Sequence, residues 1–174
     1  MPYPLLTKRL LLEPLKRTDL ETFVEYRRDH SIAQFQGWDS NYSMAQAVEL
    51  LESQIDIKFP DKGKWLQIGV HLCDSGELIG DLAIHHVENS ENEIEIGFTI
   101  AAQHQQKGYA TEAISELITF LQKEHGTTTF IAHTDSRNTA SMNLLNSLGF
   151  KEHPEENFVE DFKGEQVYVV CFRK

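Results

Sequence analysis

The stretch Glu93-Asn-Glu-Ile-Glu-Ile-Gly-Phe-Thr-Ile-Ala-Ala-Gln-His-Gln-Gln-Lys-Gly-Tyr-Ala-Thr-Glu-Ala113 changes its hydrophobic period halfway along. Ile94, Ile96, Phe98 and Ile100 alternate with Glu93, Glu95, Gly97 and Thr99, the two-residue repeat of a strand with two unlike faces. Beyond Gly108, the residues Ala110, Ala113, Ile114, Leu117 and Leu121 fall at spacings that stack on one side of a helix. Between the two lies Gln105-Gln106-Lys107-Gly108-Tyr109-Ala110, a turn that opens the helix. The first main-chain N–H groups of a helix have no partner within it, and the helix dipole is positive at that end. A strand, a glycine turn and a helix start therefore predict an anion site, and a diphosphate suits it.

The remainder reads as one domain over 1–174. A chain of 174 residues buries a core without disulfides or metals. Its 40% hydrophobic and 25% charged residues are those of an ordinary globular protein. No apolar run approaches the roughly 20 residues of a membrane span, and Met1-Pro-Tyr-Pro does not read as a leader. The expected location is the cytoplasm, with no membrane partner. Net charge is -11 from 16 basic and 27 acidic residues, which argues against a nucleic-acid partner. It also means that an anionic ligand must be held by local donors. No zinc spacing occurs among the eight histidines, so no metal is expected, and His85-His86 on a strand must point to opposite faces. Cys73 and Cys171 read as two buried, reduced thiols.

In order, Leu6 to Glu13 reads as a strand ended by Pro14. Thr18 or Asp19 caps a helix carrying Phe23, Tyr26 and Arg27. Asp29 to Tyr42 has no period and reads as an ordered loop. Its Phe35, Trp38 and Tyr42 either pack on the domain or wall a substrate pocket. Ser43 caps a second helix with Ala47, Leu50, Leu51, Gln54 and Ile55 inward. Trp65 to Leu72 and Glu77 to His86 form a hairpin over Asp74-Ser-Gly76, ahead of the strand quoted first. Gly126 fits a helix C-cap, and Thr127 to Thr134 is a buried strand parallel to that strand. Asn138 caps a helix from Thr139 to Leu148, with Ala140, Leu144 and Leu148 inward and Gly149 ending it. Phe150 to Phe162 and Gln166 to Phe172 close the chain as a hairpin. The order is that of a mixed α/β sheet.

Two motifs carry a resemblance. The spacing Gln105-x-x-Gly108-x-Ala110 resembles the acetyl-coenzyme A signature of the GNAT N-acetyltransferases. Asn138-Thr-Ala-Ser141 through Gly149-Phe150 is similar to the later motif of that family. The text Glu-Ile-Gly-Phe, Gly-Tyr-Ala-Thr-Glu-Ala and the Thr7-Lys-Arg-Leu-Leu-Leu start resemble the RimJ/RimL ribosomal-protein branch. The resemblance implies an α+β fold with a central, mostly antiparallel sheet of about seven strands, about four flanking helices, and a splay between strands 4 and 5. The pantetheine arm of acetyl-CoA would enter that splay and bond the main chain of Phe98, Thr99 and Ile100. Gln105, Gln106, Lys107, Gly108, Tyr109, Ala110 and Thr111 would cradle the diphosphate, and Asn138 would hold the cofactor amide.

Acetyl transfer to an amine needs a held thioester, a neutral amine, an oxyanion donor and a proton for the thiolate. Glu95 is the first candidate for the base, Glu93 and Glu160 weaker ones; each is otherwise a solvated or paired carboxylate. The Ile100 N–H is the candidate oxyanion donor. Where many relatives carry a tyrosine seven residues after the asparagine, this chain has Leu145; the branch it resembles carries a serine three residues after the asparagine, which implies Ser141 as proton donor or thiol partner, against a surface serine bonded to its own backbone. Trp38, Tyr42, Glu95 and Glu160 are the candidate acceptor contacts. The expected reaction is direct transfer in a ternary complex to the N-terminal α-amine of a protein or peptide. The alternatives are a small amine (polyamine, amino acid or aminoglycoside) or an acyl-CoA sensor without turnover. The expected assembly is a monomer or a homodimer.

Overall fold

A computed structural model describes residues 4–174; the first three residues, part of the stretch in which no leader was read, lie outside it. The strands are β1 (Leu5–Leu6), β2 (Leu10–Pro14), β3 (Trp65–Leu72), β4 (Leu78–His86), β5 (Glu93–Ile100), β6 (Thr129–Asp135), β7 (Lys151–Glu152), β8 (Phe158–Phe162) and β9 (Glu165–Arg173). The helices are α1 (Leu20–Arg27), α2 (His30–Ala33), α3 (Met44–Ser53), α4 (Tyr109–His125) and α5 (Thr139–Ser147). All strands join one nine-stranded sheet in the order β1-β2-β3-β4-β5-β6-β9-β7, with β8 also paired to β9. The sheet is mixed and mostly antiparallel, with two more strands and one more helix than the motifs imply.

The added pieces have local causes. The first expected strand is broken by a turn in which the Thr7 hydroxyl accepts the Leu10 N–H at 2.8 Å, so Leu5–Leu6 folds back on Leu11 and Leu12. Asp29 accepts the Ser31 N–H at 2.8 Å and starts the one-turn α2 inside the segment read as loop. Phe150–Phe162 is interrupted by Pro154, which opens a short 3-10 turn.

The β5 alternation works as read. Ile94 and Ile96 are buried with Ala113, Ile114, Leu117 and Leu121 of α4, so this side of the sheet holds the main core. Glu95, Gly97 and Thr99 face the other side, where α1 and α3 pack over a second cluster built on Leu20, Phe23, Val24, Tyr26 and Tyr42. Burying such side chains contributes roughly 1.5–3 kcal/mol each.

Several details correct the sequence reading. Asp19 does not cap α1; its carboxylate accepts the Lys16 N–H at 2.7 Å and lies 3.1 Å from the buried His71 ring. Ile55 falls beyond α3 and is exposed, because the helix ends at Ser53. On α5, Leu148 is buried as read and Leu144 packs half-buried on the core, but Ala140 is exposed and Leu145 is buried in its stead. Cys171 is buried but Cys73, in the turn after β3, is exposed.

Candidate active site

The parallel strands β5 and β6 pair only at Glu93–Thr129, Ile94–Phe130 and Glu95–Ile131. Past Glu95 each stays with its outer neighbour, β5 with β4 up to Ile100–Gly80 and β6 with β9 up to Asp135–Val169. The result is a wedge between Ile96–Ile100 and Ala132–Asp135. Main-chain direction alternates along a strand. The Glu93 carbonyl accepts from Val87 N–H, and the Ala101 N–H donates to the Ile79 carbonyl. Odd-numbered residues of β5 therefore turn their N–H and C=O to β4, and Phe98 and Ile100 turn theirs into the wedge. Thr99 does not: its main chain faces β4, and its side chain lines the larger of the two cavities described below.

At the mouth of the wedge the Gln105 side chain donates to the Ile100 carbonyl at 2.9 Å, fixing the turn to the end of β5. Gln106 has φ +60° and Gly108 φ +78°, so the turn closes through two left-handed residues. The next main-chain bonds of the turn are Gln105 N–H to the Ala102 carbonyl and Glu112 N–H to the Gly108 carbonyl. Between them the N–H groups from Gln106 to Thr111 have no acceptor among the described residues, and Gly108 brings no side-chain cap. Unbonded donors at the positive end of a 17-residue helix are the arrangement from which the sequence reading expects an anion site.

The cations stand beside the turn. Lys107 Nζ donates to the Gln103 carbonyl at 2.8 Å. Arg9, which the sequence reading did not single out, donates to the Lys107 carbonyl at 3.0 Å, pairs with Glu112 at 2.7 Å and lies 4.4 Å over the Tyr109 ring.

Two cavities open on either side of Gly97–Phe98. The smaller, about 160 Å³, lies in the wedge and includes Phe98, His133, Asn138, Ser141 and Glu160 in its wall. Asn138 Oδ1 accepts the Ser141 N–H at 3.1 Å, capping α5. The Ser141 hydroxyl bonds no described residue, whereas Ser147 on the same helix donates back to the Leu144 carbonyl at 2.7 Å. The larger cavity, about 690 Å³, lies under α1 and α3 and includes Trp38, Tyr42, Trp65, Asp39, Glu49 and Asp81. Gln36, Gly97 and Phe98 belong to both walls. Gly97 carries no side chain where the cavities meet, and a Cβ there would touch Ala83 at 3.4 Å.

The floor of the larger cavity is a buried ion pair that the sequence did not disclose. Arg27 of α1 reaches Asp81 of β4 at 3.3 Å, and the Tyr26 hydroxyl donates to the other Asp81 oxygen at 2.6 Å. The Arg27 guanidinium is stacked 4.0 Å from Phe23 and 3.7 Å from Trp38. Burial, then the Asp81 charge, push the Tyr26 hydroxyl well above its ordinary pKa. Trp38 is tied in by its indole N–H to the Arg27 carbonyl at 3.1 Å. Lys163, in the turn between β8 and β9, bonds the Ala33 and Trp38 carbonyls and lies 3.5 Å from Asp39, joining the terminal hairpin to the segment after α2.

Glu95 sits at the closed end of the wedge and lines neither cavity. Its Oε1 is 2.8 Å from His133 Nδ1 and its Oε2 3.1 Å from His85 Nδ1, with His85 stacked 4.8 Å from the Trp65 ring. Burial acts to raise its pKa, but the bonds to the two histidines outweigh this and hold the carboxyl below its ordinary range. Glu93 is paired to Arg173 at 3.0 Å. His85 was weighed in sequence only as a metal ligand, and His133 was absorbed into a buried strand. The signal for His133 was its polar place between Ala132 and Thr134, on the outward phase of the repeat.

Cys171 lies opposite His133 in the β6–β9 register. Burial, then the neighbouring Glu156, push its thiol up to about 11, so it stays protonated. Among the described residues, His153, Glu155 and Glu156 are close enough to share a cation. They are at the surface, and Arg173 pairs with Glu156 at 3.3 Å.

Comparison with known proteins agrees with this geometry. The model of the acetyltransferase (GNAT) domain matches residues 9–151, and the chain belongs to that family. It is an N-acetyltransferase, hence an acyltransferase. It is 24% identical over 168 residues to the uncharacterized N-acetyltransferase p20 of Bacillus licheniformis, spanning 97% of this chain and 93% of that one. A GNAT acetyltransferase structure from Bacillus anthracis superposes with TM-score 0.85 at 20% identity, covering 99% and 98% of the two chains. A putative ribosomal-protein-serine acetyltransferase from Vibrio cholerae gives 0.81 at 22% identity, over 99% and 97%. Spermidine N-acetyltransferase from Vibrio cholerae, in complex with CoA and spermine, gives 0.81 at 20% identity, over 97% and 96%. At such identities the structures speak for the fold. Among the described residues no helix is long and apolar enough to cross a membrane.

Proposed function

We propose that the protein transfers the acetyl group of acetyl-CoA to the N-terminal α-amine of a protein or peptide, by direct attack in a ternary complex. The observation that carries this reading is the meeting of the two cavities at Gly97–Phe98, with unpaired β5 main chain on one side and an acid-lined, aromatic chamber on the other. The smaller cavity suits a pantetheine arm, and the open N–H groups from Gln106 to Thr111 suit its diphosphate.

The chemistry follows from the placement. The amine enters from the larger cavity as an ammonium, attracted by Asp39 and Glu49, and gives one proton to the protein. Its nitrogen attacks the thioester carbonyl. The carbonyl oxygen becomes an oxyanion, met by the N–H of Ile100. As the tetrahedral centre collapses, the C–S bond breaks, and Ser141 in the wedge wall supplies the proton to the thiolate sulfur. Ser141 then regains the proton that the new amide nitrogen loses. The net change is ammonium plus thioester to amide, thiol and one proton. Cys171, protonated and bonded to Glu156 at 3.5 Å, does not act as an acetyl carrier.

The RimJ/RimL-like assignment rests on the Thr7-Lys-Arg-Leu start and on Ser141 at the wedge. Its expected setting is the cytoplasm, as a monomer or homodimer. A second reading has its own support: Asp39 and Glu49 beside Trp38, Tyr42 and Trp65 also suit a polyamine. Turnover of acetyl-CoA, followed by thiol release, decides between them. Peptides with the N-terminal sequences of ribosomal proteins should be preferred over spermidine by at least about tenfold in kcat/KM, or about 1.4 kcal/mol. The reverse order makes the acceptor a polyamine. Tight acetyl-CoA binding with no release on any amine makes the protein a sensor.

A further inference from the structure

We infer that His133 is the group that takes the proton from the amine, and that Glu95 is a positioning residue that holds its ring. The inference rests on the acetyl-transfer reading above and deepens it. The chain of contacts runs laterally across one face of the sheet. Trp65 on β3 stacks on His85 on β4, His85 bonds Glu95 on β5, Glu95 bonds His133 on β6, and the His133 ring lies 5.7 Å from that of Phe158 on β8. Of the three titratable members of this row, only His133 belongs to a cavity wall, the wedge wall it shares with Gly97, Phe98 and Ser141. An acid or base must reach the proton it moves, directly or through one water, and Glu95 and His85 stand behind that wall.

The tautomer follows from the partner. An ionised carboxylate only accepts, so the ring nitrogen 2.8 Å from Glu95 Oε1, Nδ1, carries the hydrogen. The lone pair is then on Nε2, at the far side of the ring, and no described residue bonds it. Glu95 is also a poor base in its own right. Both its oxygens are engaged and its carboxyl is held below the ordinary range. The titratable groups around His133 are Glu95 from β5, Cys171 opposite it on β9, Glu160 of β8 and Asp135 of its own strand. In the reaction an N–H bond of the ammonium breaks, its proton goes to Nε2, and the freed nitrogen pair forms the C–N bond. The imidazolium is stabilised by the Glu95 carboxylate until it passes the proton to water.

Two measurements test this on the full chain. Imidazole ¹⁵N resonances of the neutral His133 ring should show hydrogen on Nδ1 and none on Nε2. The opposite tautomer overturns the inference whatever the acceptor proves to be. His133→Gln is to be compared with the native chain at saturating acetyl-CoA, with spermidine or a serine-initiated peptide as acceptor. It should lose about 10² to 10⁴ in kcat/KM at pH 7. That loss should shrink by nearly tenfold for each unit that pH is raised, up to the amine pKa, as solution supplies more of the free amine. Glu95→Gln should give a smaller loss with the same pH trend. Full turnover by His133→Gln, or a deficit that stays flat with pH, overturns the assignment. If the wild-type chain binds no acetyl-CoA, the functional reading itself fails, and the resonances still judge the tautomer.

Discussion

The two cavities that meet at Gly97 are built from different materials. The wedge side is made of main chain: the Phe98 and Ile100 peptide groups left by the splay, and the N–H groups from Gln106 to Thr111 at the start of α4. The chamber under α1 and α3 is made of side chains, with Arg27 and Asp81 as floor, Trp38, Tyr42 and Trp65 as walls and Asp39 and Glu49 at hand. Main chain has one chemistry, so a site built from it can serve one ligand in many proteins. Side chains vary, and a site built from them can be retuned for each acceptor.

The contrast breaks most sharply at the buried pair. Arg27→Leu leaves the Asp81 carboxylate buried without its cation, with only the Tyr26 hydroxyl still bonded to it. It should cost about 3–5 kcal/mol of stability by thermal or urea unfolding. An unchanged midpoint would mean that the floor is not the rigid base described. Next is Gly108→Val, which puts a β-branched residue at φ +78° in the turn that opens α4. It should cost about 1–3 kcal/mol, read as a 5- to 150-fold rise in the acetyl-CoA Kd. Truncating the side chains of the same turn, in Gln106→Ala or Lys107→Ala, should change that Kd by less than about threefold. If the lysine variant loses more than the glycine variant, the main-chain account of this side is wrong. Ser43→Ala is smaller. It removes the cap formed with Gln46 at the start of α3, a wall of the chamber, and should cost about 1 kcal/mol while leaving acetyl-CoA binding alone. The mildest probe is acid. Glu95 has its folded-state pKa depressed, so its contribution is complete above the ordinary carboxylate value of 4.5 and is lost as pH falls through the lower folded value. An acid titration should show a larger loss in the native chain than in Glu95→Gln across that window.

The same contrast explains what was legible in the sequence. The wedge side is contiguous: strand, turn and helix start lie within Glu93–Ala113, and the period change at Gly108 marks the join. The direction of the Phe98 and Ile100 peptide groups follows from strand geometry once the register is known, which is why Thr99 was misassigned without it. Asn138 and Ser141 were legible for the same reason, as a cap and its helix. The chamber draws on α1, the segment after α2, α3, β3 and β4, so its residues meet only after folding. Arg27 and Asp81 are 54 positions apart and each is unremarkable in its own window. The row from Trp65 to His133 was hidden likewise, because it runs across strands whose register no periodicity reveals. Trp38 and Tyr42 were found because aromatic rings in a segment without period need a dry place to sit.

The Lys163 bracket has a mechanical corollary. The two halves of the sheet share strand pairing only at the narrow end, and across the mouth an ammonium from one half grips carbonyls of the other. Releasing that grip costs a few exposed or half-buried bonds and leaves each ladder whole. The sheet is thus clasped twice, by a ladder of strand pairs at one end and by a hasp of a single residue at the other.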